Sequence, residues 1–201
     1  MAWAAAERLN LLAAQEVARE QGRREEAIEL AYTLDDLFER AGHWDLRRQA
    51  LEMGRDVAQA FSLRDHAALT HNLGVLAQAQ RDYPEARRLY EQAAEVFREL
   101  GALREQAAVL HQLGMLAQDQ GDYPEARRLY EESLRIAEQL GDRAGVAITT
   151  AQMALLEEAE GNLPRALELV TRAENIFTQL GSPYREQARR DRERIQRALH
   201  Q

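Results

Sequence analysis

A ten-residue stretch that occurs twice without change constrains the fold of this chain more than any other feature. The sequence DYPEARRLYE runs from Asp82 to Glu91 and again from Asp122 to Glu131. A looser third copy covers residues 161–170, so the interval is about 40 residues. Intervals of this size are typical of proteins in which one small structural unit is repeated and each copy buries its apolar face against the next.

Glycine, N-cap and proline signals divide each interval into two helices. Gly101, Gly141 and Gly181 each follow a leucine that ends a helical pattern, at a position where a left-handed backbone favours glycine. Halfway between them, a residue that can cap a helix stands two positions before a proline of the first turn. The N-cap candidates are Asp82, Asp122 and Asn162. The pattern predicts ten helices, at about residues 3–20, 24–40, 44–60, 64–80, 84–99, 104–120, 124–139, 143–160, 164–179 and 183–199.

Composition agrees with an all-helical chain. Ala, Leu, Glu, Arg and Gln dominate and are good helix formers, whereas Val, Ile and Thr, which favour strands, are scarce. The chain has no cysteine, which excludes disulfides, thiolate metal sites and cysteine nucleophiles.

Charge and hydropathy limit the partners and the location. The net charge of −8 disfavours nucleic-acid binding, which depends on neutralising phosphates. No apolar run approaches the ~18 residues that a membrane-spanning helix needs, and the start lacks the basic and apolar regions of a secretory signal. We therefore expect a cytoplasmic protein that binds neither membranes nor nucleic acids.

The repeat resembles the tetratricopeptide family, which has Leu-Gly in the first helix, a turn with Asp-Tyr, and small and aromatic residues in the second helix. The residues that match are Leu73, Gly74, Leu113, Gly114, Asp82, Tyr83, Asp122, Tyr123, Ala86, Ala126, Ala166, Tyr90 and Tyr130. The resemblance is specific for residues 65–180. Upstream it is weaker, because Arg47 stands where the family has a small residue.

The resemblance implies an all-α, right-handed superhelical solenoid of antiparallel helix pairs. We expect one such domain, with an N-terminal helix at 1–22, a degenerate repeat at 23–62, repeats at 63–101, 102–141 and 142–181, and a capping helix at 182–201. That last helix carries six arginines and is alternatively a docking face for an acidic partner. Repeats of about 40 residues are similar to those of kinesin light chains and of the sensor regions of bacterial multidomain signalling regulators.

In this family the first helix of each pair lines a concave groove, so the resemblance implies a protein-interaction module that binds a peptide or protein segment there. Mapping the family positions onto the chain gives the candidate groove residues Tyr32, Asp36, His71, Asn72, Val75, Gln78, His111, Gln112, Met115, Gln118, Gln152 and Leu155. The amides of Asn72, Gln112 and Gln152 offer both donors and acceptors to a peptide backbone. Alternatively, they belong to a solvated face or bind the neighbouring helix pair.

Two further alternatives stay open. Val75, Met115 and Leu155 either grip apolar side chains of a ligand, for which methionine is well suited, or belong to the core. The chain is alternatively a structural protein that assembles into homo-oligomers through its terminal helices, which light scattering would detect.

Metal binding and catalysis are disfavoured. His71 and His111 stand in neighbouring repeats, about 9–10 Å apart if the helices pack normally, whereas zinc–nitrogen bonds are about 2 Å. No nucleotide-binding, nucleophile or metalloprotease motif is present. We therefore expect no cofactor, no metal and no enzymatic activity. Without lysine, the chain also lacks the clamp by which relatives bind chaperone carboxyl termini.

Overall fold

The structure is a computed structural model that describes the backbone of residues 2–200 and the side chains of residues 8–200. Within that range it contains ten α-helices and no strand. Their bounds are α1 Ala2–Glu20, α2 Arg24–Ala41, α3 Trp44–Gln59, α4 Leu63–Ala79, α5 Tyr83–Glu99, α6 Leu103–Asp119, α7 Tyr123–Gln139, α8 Arg143–Ala159, α9 Leu163–Gln179 and α10 Arg185–Leu199. The predicted all-α class and the ten helices are confirmed, with helix ends within about two residues of those expected.

The chain forms two compact units, which divide between Gly101 and Ala102. The first contains α1 to α5, and the second contains α6 to α10. Within each unit consecutive helices are joined by short turns and pack on one another, so they form antiparallel pairs. We call α2, α4, α6 and α8 the A helices, and α3, α5, α7 and α9 the B helices that follow them.

Left-handed residues end the helices, as the glycine spacing predicts. Gly101, Gly141 and Gly181 have φ angles of 62°, 65° and 63°. Arg81 adopts the same conformation, with a φ of 62°, although it is not glycine. The turn geometry is therefore kept even where the sequence departs from the glycine pattern.

The N-cap prediction is confirmed at two of three positions. The side chains of Asp82 and Asp122 accept hydrogen bonds from the backbone N–H groups three residues later. Asn162 was expected to do the same, and this expectation is wrong. Its amide nitrogen instead donates to Oε2 of Glu157 at 2.7 Å, because that carboxylate lies at the end of the preceding helix.

Small residues on the B helices let each pair pack closely. Ala86, Ala126 and Ala166 are fully buried where the two helices cross. At the chain ends, Leu12 of α1 packs with Leu34, Phe38 and Ala50. Ala188 of α10 packs in a cluster with Phe177 of α9, so α1 covers the first helix pair of its unit and α10 covers the last pair of its own.

Candidate functional site

A glycine of the A helix makes room for a buried tyrosine of the B helix in two pairs. A Cβ atom on Gly74 would lie 2.7 Å from the ring of Tyr90, and one on Gly114 would lie 2.6 Å from the ring of Tyr130. These distances are shorter than any normal carbon–carbon contact. Both tyrosine rings are fully buried, so the glycines are needed to seat them.

In the pair α4–α5, the seated tyrosine binds two of the predicted groove residues. The imidazole of His71 lies against the ring of Tyr90, with centroids 5.6 Å apart, and the tyrosine hydroxyl donates to Oε1 of Gln78 at 2.9 Å. Nδ1 of His71 donates to Oδ1 of Asn72 at 3.2 Å. Burial lowers the pKa of His71 below its usual value, which keeps the imidazole neutral.

The pair α6–α7 repeats this arrangement. His111 lies against Tyr130 with centroids 5.6 Å apart, and the hydroxyl of Tyr130 donates to Oε1 of Gln118 at 2.8 Å. The Thr149 hydroxyl lies 3.2 Å from Nδ1 of His111. Burial lowers the pKa of His111 to about 4. The two histidines and the two glutamines therefore hold the buried tyrosines in place.

Acid is expected to destabilise the fold through His111. Because its pKa is lowered from 6.5 to about 4 on folding, the unfolded chain binds more protons between these values. The stability from keeping this imidazole neutral is complete above about pH 6.5 and is lost as the pH falls towards 4. Between about pH 7.5 and 5 the loss is roughly 2 kcal/mol.

Urea unfolding at these two pH values measures this loss in the wild type, in His111→Gln and in His200→Gln as an exposed control. The His111→Gln variant should be less stable than the wild type at the higher pH but should depend less on pH. If its pH dependence equals that of the control, the assignment to His111 is wrong.

The three amides predicted to line the groove, those of Asn72, Gln112 and Gln152, differ in their hydrogen bonds. Nδ2 of Asn72 donates to Oδ2 of Asp35 in α2 at 2.8 Å, so this amide is engaged within the first unit. Gln112 and Gln152, both in the second unit, are half-buried and have no hydrogen-bond partner among the described side chains and backbone groups. Of these three amides, only those of Gln112 and Gln152 can therefore bind a ligand without first breaking a hydrogen bond within the protein.

The degenerate repeat replaces the small residues of its crossing by an ion pair. The buried Arg47 of α3 donates through Nε to Oδ1 of Asp35 at 2.6 Å and through a terminal nitrogen to Glu39 at 3.2 Å. Asp35 occupies the position that corresponds to Gly74, and Arg47 the position that corresponds to Ala86. The mismatch noted in the sequence at Arg47 is therefore compensated by a second substitution on the partner helix.

The two predicted groove residues of this repeat also have partners. The hydroxyl of Tyr32 donates to Oδ1 of Asp65 in α4 at 3.0 Å, and burial raises the pKa of this phenol. Asp36 is exposed and pairs with Arg40 one turn later on the same helix. Tyr32 thus links α2 to α4, whereas Asp36 faces solvent.

The pair α8–α9 lacks the histidine–tyrosine contact and lines a cavity instead. Ala151 and Val170 occupy the positions that correspond to His111 and Tyr130. A cavity of about 390 Å³ lies among α8, α9 and α10 of the second unit. Its apolar lining consists of Ile148, Ala151, Leu155, Val170, Phe177, Tyr184 and Ala188.

The three apolar residues predicted to line the groove lie on the A helices α4, α6 and α8. Val75, Met115 and Leu155 are all half-buried, and of these Leu155 lines the cavity together with Gln152. Sequence reasoning missed Phe177, Tyr184 and Gln187 as lining residues. The departure of residue 170 from tyrosine in the third repeat was the signal that could have led to them.

Neither a metal-binding cluster nor a membrane-spanning helix occurs in the part of the chain that the structure describes. No group of three or more His, Asp or Glu side chains there is arranged to hold a metal ion. No helix in the same residues is both long enough and apolar enough to cross a bilayer.

Paired helices repeated at about 40-residue intervals, with glycine and alanine at the crossings and an aromatic residue beside them, define a helical-hairpin repeat protein. The chain belongs to the tetratricopeptide repeat family, whose model matches residues 65–139 and 105–179, more than half of the sequence. Proteins built from these repeats are generally interaction scaffolds rather than enzymes. No curated protein sequence matches the chain.

Solved structures share the fold at low sequence identity. BtubC (BKLC) from P. vanneervenii is 17% identical with a TM-score of 0.72, and the match covers 97% of this chain and 90% of that one. The apo form of RapI is 12% identical with a TM-score of 0.74, covering 94% and 54%. A signal transduction ATPase with numerous domains and a tetratricopeptide repeat sensor, from Pyrococcus horikoshii, is 16% identical with a TM-score of 0.65, covering 84% and 29%.

Proposed function

We propose that this chain binds a peptide or protein segment on the A-helix face of its second unit and so acts as an interaction scaffold. The observation that carries the proposal is the pair of unengaged amides at equivalent positions, Gln112 on α6 and Gln152 on α8. These two helices contact each other, so the amides lie on one surface. Each amide offers a donor and an acceptor, as an extended peptide backbone requires.

Apolar side chains stand beside these amides. Met115 follows Gln112 by three residues and Leu155 follows Gln152 by three, a spacing that places each pair on the same side of its helix. Both apolar side chains are half-buried. A peptide whose backbone binds the amides therefore meets apolar surface for its side chains, which is the usual composition of a binding site.

A sensor role is a finer part of the same proposal. The Pyrococcus horikoshii ATPase has a tetratricopeptide repeat sensor of the same fold, which this chain matches over 84% of its length. We infer that the chain serves as such a region, with peptide binding as the signal it receives.

Selection of peptides from a random library displayed on phage, against the immobilised full chain, tests the binding function. Enriched peptides are then titrated against the wild type and against Gln112→Ala/Gln152→Ala. Since each hydrogen bond contributes about 1 kcal/mol, the double variant should bind about tenfold more weakly or worse. Asn72 is left unchanged because its amide binds Asp35.

The matched control is Gln59→Ala/Gln139→Ala, which removes two exposed amides from B helices. This control should bind the selected peptides like the wild type. Enriched peptides that bind both double variants equally would place the site elsewhere, and a selection without any enriched peptide would contradict the binding function itself.

A further inference from the structure

Two residues that line the cavity among α8, α9 and α10 stand at positions that carry rings in the two preceding repeats. In α4–α5 and in α6–α7 an imidazole lies against a phenol at a centroid distance of 5.6 Å. In α8–α9, Ala151 and Val170 stand at these positions, and neither carries a ring. The repeats themselves thus show which kind of group fits between an A helix and a B helix here.

We propose that this cavity receives an aromatic side chain of the bound peptide, which takes the place of the missing rings. The proposal rests on the proposed peptide-binding function and specifies the anchor residue of its ligand. The cavity volume of about 390 Å³ falls within the range of about 300–1,000 Å³ found for ligand sites and is large enough for one ring.

An aromatic surface is already present at the cavity. Tyr184, which precedes α10, is 58% exposed although it lines the cavity, and its ring lies 5.8 Å from that of Phe177 at an angle of 47°. A third ring in the cavity can pack against this pair in the offset or edge-to-face arrangement that aromatic side chains prefer.

The polar rim supplies the contacts that a peptide backbone needs beside its anchor. Gln152 lines the same cavity, and its amide has no partner among the described residues. The charged groups of the rim are already paired: Arg194 binds Glu158 and Asp191, and Gln187 donates to Asp191. The rim therefore has no free cation for an acidic anchor, and an uncharged ring is the side chain that fits.

Titration of the full chain with N-acetyl-tyrosinamide and with N-acetyl-alaninamide, followed by ¹H–¹⁵N NMR, tests this assignment. The aromatic amide should give saturable shifts at Ile148, Gln152 and Leu155 in the millimolar range, and the alanine amide should not. The filled variant Ala151→His/Ala154→Gly/Val170→Tyr rebuilds the ring pair of the other repeats together with the glycine that seats it. It should bind the aromatic amide at least tenfold more weakly.

Two single variants cover the case in which the filled variant does not fold. Ala151→Phe places a ring in the cavity, and Ala144→Phe places one at an exposed position of the same helix as a control. The first should weaken binding at least tenfold and the second should not. Equal shifts with both amides, or undiminished binding to a cavity-filled variant, would overturn the proposal.

The two proposals fail in different ways. If library peptides bind through Gln112 and Gln152 but the aromatic amide does not bind, the anchor assignment is wrong and the peptide-binding function stands. If the aromatic amide binds at the cavity but no peptide is enriched, the peptide-binding function is wrong and the cavity still recognises a ring.

Discussion

Replacement of Arg47 by methionine is expected to lower the free energy of unfolding by about 3–5 kcal/mol, because it leaves a buried carboxylate without its cation. The Arg47 side chain is 3% exposed and that of Asp35 is 13% exposed. Asp35 would then keep only the hydrogen bond from the uncharged amide of Asn72, which does not balance its negative charge. Methionine has a similar length but supplies no donor, so the loss comes from the charge and not from a void.

Urea unfolding followed by the fluorescence of Trp44, at the start of α3, measures this effect in the unit concerned. Arg48→Met is the matched control, because Arg48 is less buried and makes its hydrogen bond to Gln80 at the surface. We expect the control to change the stability by less than about 1 kcal/mol. A similar small change for Arg47→Met would show that Asp35 does not depend on the arginine.

The double variant Asp35→Ala/Arg47→Ala distinguishes the charge from the packing. It restores small residues at both positions of the crossing, as in Ala154 and Ala166 of the third repeat. Because no charge is then left buried, this variant should be more stable than Arg47→Met, even though it removes more side-chain volume. The comparison therefore tests whether the two substitutions of the degenerate repeat compensate each other.

The helices of this chain could be predicted from its sequence because their signals are local. A verbatim repeat, glycines such as Gly101 at left-handed positions and N-caps such as Asp82 each act within one turn. Asn162 shows the limit of such reasoning. It has the side chain of an N-cap, but the choice between the backbone and Glu157 depends on which atoms the folded chain brings near it.

The candidate site was less predictable because the use of each polar side chain depends on its neighbours in other helices. Asn72 and Gln152 occupy equivalent positions, yet only Asn72 is engaged. Its partner is Asp35 of the preceding A helix, and the corresponding residue for Gln152 is Gly114, which has no side chain to accept a hydrogen bond. Predicting such contacts requires knowing which residues of neighbouring helices lie opposite each other, and sequence periodicity alone does not give this.

The effects of substitutions at Gly114 and Tyr130 on stability are expected to be strongly coupled, because only a residue without a side chain at position 114 leaves room for the tyrosine ring. Gly114→Ala places a Cβ atom 2.6 Å from the ring, which overpacks the pair by roughly 3 kcal/mol, and the higher helix propensity of alanine offsets about 1 kcal/mol. The net loss is about 2 kcal/mol. Tyr130→Val removes a fully buried ring and should lower stability by about 3 kcal/mol.

The double variant should lose about 3 kcal/mol rather than the roughly 5 kcal/mol of an additive pair, because the new methyl group occupies part of the space that the ring leaves. Ala154 and Val170 of the third repeat are the same combination in the natural sequence. Denaturation of the wild type, the two single variants and the double variant measures this coupling.

Ala154→Gly is the control in the reverse direction, and it should lose about 1 kcal/mol, since no ring needs the space that this substitution creates. Additive losses at Gly114 and Tyr130 would mean that the close contact does not explain why glycine and tyrosine occur together.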